Sequence, residues 1–162
     1  MLAVPDFPSP GVVFQDVTPV LADAAAFRLL VDWLARCAGP VEAVAGIEAR
    51  GFVLGAPVAY ALDVPFIPVR KAGKLPRAVH DVAYDLEYGT ATLAMHADAP
   101  IGGRKVLVVD DVLATGGTAD AACRLVERCK GDVTGVAVLL EISALGGRAR
   151  LPGRPLHALL AV

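Results

Sequence analysis

Residues 106–118 read Val106-Leu107-Val108-Val109-Asp110-Asp111-Val112-Leu113-Ala114-Thr115-Gly116-Gly117-Thr118. The run starts as an apolar, β-branched strand, reaches two adjacent carboxylates, and continues into a turn of small residues that opens a helix. Such a turn offers backbone N–H groups and the positive end of a helix dipole to an anion. Two acids beside an anion cradle would repel a bare phosphate. They suit a sugar phosphate, in which N–H groups and threonine hydroxyls hold the phosphate while the carboxylates accept from ribose hydroxyls. A Walker-type nucleotide loop does not fit, because no lysine follows the glycines.

The rest of the chain is compatible with that reading. Its 162 residues suffice for one domain with a sizeable core. Apolar residues make up 56% but aromatics only 6%, so the interior is expected to be built from Ala, Val and Leu. Fifteen basic against 17 acidic residues leave a net charge of −2, which argues against non-specific nucleic-acid binding. Cys37, Cys123 and Cys129 form no zinc-type cluster and no even disulfide set, so free thiols in a reducing cytoplasm are expected. The N-terminal Met-Leu-Ala-Val-Pro-Asp-Phe-Pro lacks a basic stretch and breaks on proline, unlike a secretory signal. Charges, glycines or prolines interrupt every apolar stretch short of the roughly 20 residues a membrane span needs.

Outward from the central run, strands and helices alternate. Residues 5–20 read as irregular and proline-punctuated. Asp23 is placed to cap a helix over 24–37 that Gly39-Pro40 stops. Trp33, at helical spacing from Leu29, Leu30 and Leu34, is expected in the core. A buried strand follows over 41–47, then a turn at 48–51, a helix over 52–62 and a strand over 64–70. Residues 71–81 carry Gly73, Pro76 and several basic side chains without an apolar period, the pattern of a mobile loop. Segments 82–88 and 90–96 suggest a hairpin about Tyr88-Gly89. Beyond them come a strand over 105–110, a helix over 117–130, and strands over 133–142 and 156–162. This alternation, with near-continuous apolar strands, predicts an α/β fold: a mostly parallel central sheet flanked by helices. Ligands of such sheets bind at the carboxyl ends of the strands, where Glu48–Gly51, Arg70-Lys71 and Asp110-Asp111 all fall.

Five blocks carry a family resemblance. They are Pro10-Gly-Val-Val-Phe-Gln-Asp16, Glu48-Ala-Arg-Gly-Phe52, Arg70-Lys-Ala-Gly-Lys-Leu-Pro76, Leu86-Glu-Tyr-Gly89 and the 106–118 run. In this order the chain resembles the type I phosphoribosyltransferases over nearly its whole length. The first, third and fourth blocks together are similar to the branch of that family that acts on adenine. The resemblance implies one domain over 1–162, with a hood over about 1–35, a core over about 36–162, and a flexible loop or hairpin. It implies a purine-salvage reaction, in which adenine and phosphoribosyl pyrophosphate give AMP and pyrophosphate. It also implies a homodimer, small-molecule substrates rather than nucleic acid or membrane, and Mg²⁺ as cofactor.

The same resemblance distributes roles. Asp110 and Asp111 hold the ribose hydroxyls and favour the cationic ribosyl centre, while Ala114, Thr115, Gly116, Gly117 and Thr118 hold the 5′-phosphate. Glu48, Ala49, Arg50 and Gly51, with Arg70, Lys71 and Lys74, form the pyrophosphate site, and a cis peptide is expected near Glu48-Ala49. Arg50 and Glu87 join the two aspartates as catalytic residues, Glu87 accepting the proton that adenine loses. Lys74 and Tyr88 belong to the flexible loop. Phe14 and Val112 sandwich the purine, and backbone groups around Val13 and Gln15 read its edge. Many relatives carry Arg or Lys where this chain has Gln15. No direct protein ligand to Mg²⁺ is implied, since the ion takes pyrophosphate, ribose and water oxygens. His80, His96 and His157 show no ligand spacing. A transferase for another base, or a non-catalytic regulator on the same fold, are the alternatives that an assay with a panel of bases and a gel shift would separate.

Overall fold

The computed structural model describes residues 1–7, 9–37, 39–85 and 89–162. Its centre is a seven-stranded sheet in the order β5-β6-β4-β3-β7-β8-β9. Strands β3 (Ala43–Ile47), β4 (Phe66–Lys71), β7 (Lys105–Leu113), β8 (Asp132–Glu141) and β9 (Leu156–Ala161) run parallel. Strands β5 (Val79–Asp85) and β6 (Thr90–His96) form an antiparallel edge. The expected mostly parallel sheet is therefore present.

Period-two alternation explains why the inner strands are apolar throughout. In β7, Val106 and Val108 enter one core layer, Leu107 and Val109 the other. In β8, Val136 and Val138 face the first layer, and Ala137 and Leu139 the second. Helix α4 (Gly117–Arg128) covers the first face through residues such as Ala122, Leu125 and Val126. Helices α2 (Ala24–Cys37) and α3 (Arg50–Leu62) cover the second through Leu30, Leu34, Leu54 and Val58. Asp23 accepts hydrogen bonds from the N–H groups of Ala25 and Ala26, the cap expected for α2. Cys123 and Cys129 are buried and unbridged. Among the described residues no helix is long and apolar enough to cross a membrane.

Several expectations change. The N-terminal segment is not irregular: β1 (Leu2–Pro5) and β2 (Val13–Asp16) pair antiparallel, and the short helix α1 (Thr18–Ala22) follows. Pro5 closes β1, and Pro19 lies in the first turn of α1. Between them Asp6 takes a left-handed conformation and accepts the Gly11 N–H at 2.7 Å. The segment after β4 is shorter than the 71–81 loop expected, because β5 already starts at Val79 and pairs with β6. Strand β7 continues through both aspartates to Leu113, since Val112 and Leu113 still pair with β8. Leu29 is two-thirds exposed, and Trp33 packs half-buried against the core that Leu30, Val31 and Leu34 of α2 enter. A pair of short 3₁₀ turns, Ser143–Leu145 and Gly147–Arg150, occupies a stretch for which no element was expected.

Candidate active site

Strands β4, β3 and β7 are neighbours and parallel, so their carboxyl ends emerge side by side. That adjacency brings together residues far apart in the chain. One cavity of about 360 Å³ is lined by Glu48, Ala49, Arg50, Lys71, Tyr84, Asp110, Asp111, Val112, Ala114 and Thr118. Nine of these ten positions were singled out from the sequence. Tyr84 was missed: it lies on the antiparallel edge, in no motif, and reaches the site only because β5 packs against α4.

The first turn, between β3 and α3, has a cis peptide bond at Glu48–Ala49, as the resemblance implied. Gly51 lets α3 begin against β7, because a Cβ there would lie 2.8 Å from the Val109 carbonyl oxygen and 3.0 Å from Asp110 Oδ1. Glu48 is tied down by two cations. Arg70 Nε donates to its Oε2 at 2.7 Å, and Lys74 Nζ lies 3.4 Å from its Oε1. Burial alone would raise the Glu48 pKa, but Arg70, the Lys71 backbone N–H and Lys74 outweigh it and hold the carboxyl below its usual range. Arg70 also donates to the Lys74 carbonyl, and the Ala72 N–H donates to the Thr92 carbonyl, so the start of this loop is anchored.

On β7, the Asp111 N–H donates to Asp110 Oδ1 at 2.9 Å. Burial, and next the neighbouring charge of Asp111, push the Asp110 pKa well above the ordinary carboxylate value. Arg50 Nε lies 2.8 Å from Asp111 Oδ2. No guanidinium hydrogen points along that contact, and Oδ2 is a buried acceptor with no hydrogen bond from any described residue. An unsatisfied buried oxygen of this kind is suited to a hydroxyl or water brought by a ligand. Among the described residues no group of three or more His, Cys, Asp or Glu converges as a metal site. The hard oxygens of the aspartate pair fit a cation whose remaining ligands come from substrate and water.

After β7 the chain turns at Gly116, with φ +84°, into α4. No side chain caps this helix, and the N–H groups of Thr115, Gly116, Gly117 and Thr118 donate to no other described residue. Uncapped donors at a helix start suit an oxyanion.

A second cavity, of about 370 Å³, lies under the N-terminal hairpin and is lined by Val4, Phe7, Phe14, Asp16, Thr18 and Arg50. Phe7 packs edge-on against Phe14 at 5.1 Å, and the Arg50 guanidinium stands 5.5 Å over the Phe14 ring. Asp16 accepts from the Thr18 N–H and hydroxyl, which lowers its pKa. Phe14 and Asp16 alternate with Val13 and Gln15, whose side chains leave the strand on its other side. Val13 and Gln15 can thus address this cavity through their backbone. Phe14 and Val112, expected on opposite faces of one ligand, line separate cavities, and Arg50 lines both. Glu87 and Tyr88 lie outside the described residues.

A parallel sheet with acids and a glycine turn at adjacent strand ends defines a class of sugar-phosphate transferases, and residues 24–150 match the phosphoribosyl transferase domain. Over its full length the chain is 57% identical to the adenine phosphoribosyltransferase of Salinispora tropica, covering 87% of that protein. It superposes on the crystal structure of the adenine phosphoribosyltransferase from Thermoanaerobacter pseudethanolicus with a TM-score of 0.96. Identity is 45%, covering 99% of this chain and 95% of that one. The Saccharomyces cerevisiae enzyme, complexed with an imino-altritol bisphosphate and adenine, matches with a TM-score of 0.92 at 36% identity, over 98% of this chain and 93% of that one. The chain belongs to the adenine phosphoribosyltransferases within the phosphoribosyl transferase family.

Proposed function

We propose that this chain transfers the 5-phosphoribosyl group of phosphoribosyl pyrophosphate to adenine, giving AMP and pyrophosphate in purine salvage. The observation that carries the reading is the single cavity at the ends of β3, β4 and β7, where an acid pair, an arginine and an uncapped helix start meet beside an aromatic pocket.

In this reading the turn Ala114–Thr118 takes the 5′-phosphate on its N–H groups and threonine hydroxyls. Asp110 and Asp111 accept from the ribose hydroxyls, the open Asp111 Oδ2 providing one acceptor. Their charge favours the electron-poor ribosyl centre that forms as pyrophosphate leaves. Arg50, Lys71 and the Glu48–Gly51 backbone receive the leaving group, with Arg70 and Lys74 behind them. Arg70 and Lys74 reach it only by sharing their contacts with Glu48, so Glu48 acts here by placing two cations. Phe14 offers its ring to the purine once Arg50 swings toward the pyrophosphate. Glu87 accepts the purine's proton, with Tyr88 beside it in sequence. Asp110 and Asp111 would face the substrate-held Mg²⁺, which would supply neutralising charge for the pyrophosphate.

The active form is a homodimer in a reducing cytoplasm. Val53, Ala56 and Tyr60 make an exposed stripe along α3, and Tyr60 is 90% exposed, apolar surface that a second copy would cover. The deciding experiment is a spectrophotometric assay with phosphoribosyl pyrophosphate, Mg²⁺ and a panel of bases. Turnover with adenine and none with hypoxanthine, guanine or orotate is expected. Turnover with a 6-oxopurine alone would refute the substrate assignment.

A further inference from the structure

The turn that receives the phosphate is not free-standing. Its back is pressed by the 3₁₀ turn Gly147–Arg150, and the contact is backbone against backbone. A Cβ on Gly147 would stand 2.2 Å from the Ala114 carbonyl oxygen and 3.0 Å from the Gly116 nitrogen. Reciprocally, a Cβ on Gly116 would stand 2.4 Å from the Gly147 carbonyl oxygen. Neither position has room for any side chain. Gly147 is also the one buried residue between Ile142 and Arg150.

That segment is held from its other side. Arg148 grips Glu141 through a two-pronged ion pair, Nε to Oε1 at 3.1 Å and Nη2 to Oε2 at 2.6 Å. The Glu141 side chain is only 9% exposed and ends β8, directly beside Leu113 at the end of β7. The Ile142 N–H donates to the Leu113 carbonyl, and Leu151 is buried in the core beyond the turn. The strap therefore starts at the end of β8, beside the strand that leads into the phosphate turn, and returns to lean on that turn.

We infer that Gly147, seated by the Glu141–Arg148 fork, sets the conformation of the Ala114–Thr118 turn, making Gly147, Glu141 and Arg148 positioning residues for the sugar phosphate. The inference rests on the function proposed above. The three residues act through the turn and touch no reacting atom. A planar guanidinium on a carboxylate fixes direction as well as distance, which an ammonium would not. An uncapped turn with a left-handed glycine has little internal restraint, so an external stop decides where its N–H groups point.

The test uses the full chain and two variants, Arg148→Met and Gly147→Ala. Each is followed by KM for both substrates, kcat, and calorimetric binding of ribose 5-phosphate. Displacing the turn by a fraction of an ångström is expected to raise the KM for phosphoribosyl pyrophosphate and weaken ribose 5-phosphate by about tenfold or more. The adenine KM should stay within about twofold of wild type, a split that general loosening of the fold would not produce. Where Gly147→Ala does not fold, Arg148→Met, at an exposed side chain, decides by the same readings. Unchanged ribose 5-phosphate affinity, or both KM values rising together, would overturn the inference. Absence of turnover in the wild-type chain would instead strike the proposed function.

Discussion

Arg50 Nε sits 2.8 Å from Asp111 Oδ2 while the same guanidinium stands over the Phe14 ring. One cation thus joins the strand-end cavity to the aromatic pocket, and it satisfies the Asp111 charge without giving its oxygen a hydrogen. A carboxylate neutralised in this way keeps its acceptor capacity for an incoming hydroxyl. Arg50 in turn is only loosely held, with its side chain 42% exposed, so it can leave for a stronger anion.

Replacing Arg50 by Gln should therefore damage catalysis far more than folding. Loss of about a hundredfold in kcat/KM for phosphoribosyl pyrophosphate is expected, about 2.7 kcal/mol of transition-state stabilisation. The melting temperature should move by no more than a few degrees. Steady-state kinetics beside thermal denaturation checks both, and a large Tm loss with intact kcat/KM would contradict the assignment.

The acid pair gives a pH signature. The Asp110 pKa is raised by burial and then by Asp111, so the folded protein holds its proton more tightly than the unfolded chain does. Its contribution to stability is complete below the ordinary carboxylate value of about 3.9 and declines as pH rises toward the elevated folded value. Asp111→Asn removes the neighbouring charge, so the Tm of ligand-free protein should fall less steeply above about pH 4 than in wild type. The same variant should bind ribose 5-phosphate more weakly. Parallel Tm-against-pH curves for the two proteins would refute the coupling.

Glu48 has the opposite sign. Its pKa is lowered, so its contribution is present above the ordinary value and lost as pH falls through the folded one. Glu48→Gln should cost about 2 kcal/mol near neutral pH, since it strips a charged partner from Arg70 and Lys74. That gap should close in acid, where wild-type Glu48 also becomes neutral. Urea unfolding at pH 7 and at a pH well below the ordinary carboxylate range measures it.

Phe14→Leu should raise the adenine KM about tenfold, in keeping with the roughly 1–3 kcal/mol that base–aromatic stacking contributes. The KM for phosphoribosyl pyrophosphate should hardly change. Equal effects on both would remove Phe14 from the base pocket.

Glu87→Gln should lower kcat about a hundredfold with little change in either KM, the behaviour of a lost general base. A variant with wild-type kcat would end that role for Glu87.

Much of this site was legible before any coordinates. Asp110, Asp111 and the Ala114–Thr118 turn announce themselves because strand, acids, glycines and helix follow one another within thirteen residues. Tyr84 and Gly147 carried no such signal. Each matters through a partner more than thirty residues away, and neither lies in a local pattern. Hairpin β1–β2 was hidden for another reason: Pro5, read as a breaker, stands at the end of its strand, where proline is tolerated.

The sequence alone settled the α/β architecture, the family and the chemical types at the strand ends, because periodicity, turn chemistry and motif order are properties of neighbouring residues. Which charges meet was decided by the tertiary structure. Glu48 is taken by Arg70 and Lys74, Arg50 by Asp111 and Phe14, and Gly147 by the Ala114–Thr118 turn. These pairings follow from the sheet order, which sets β4, β3 and β7 side by side and folds residues 143–150 back on the turn. Contact energies depend on distance in space, and only the folded chain sets those distances.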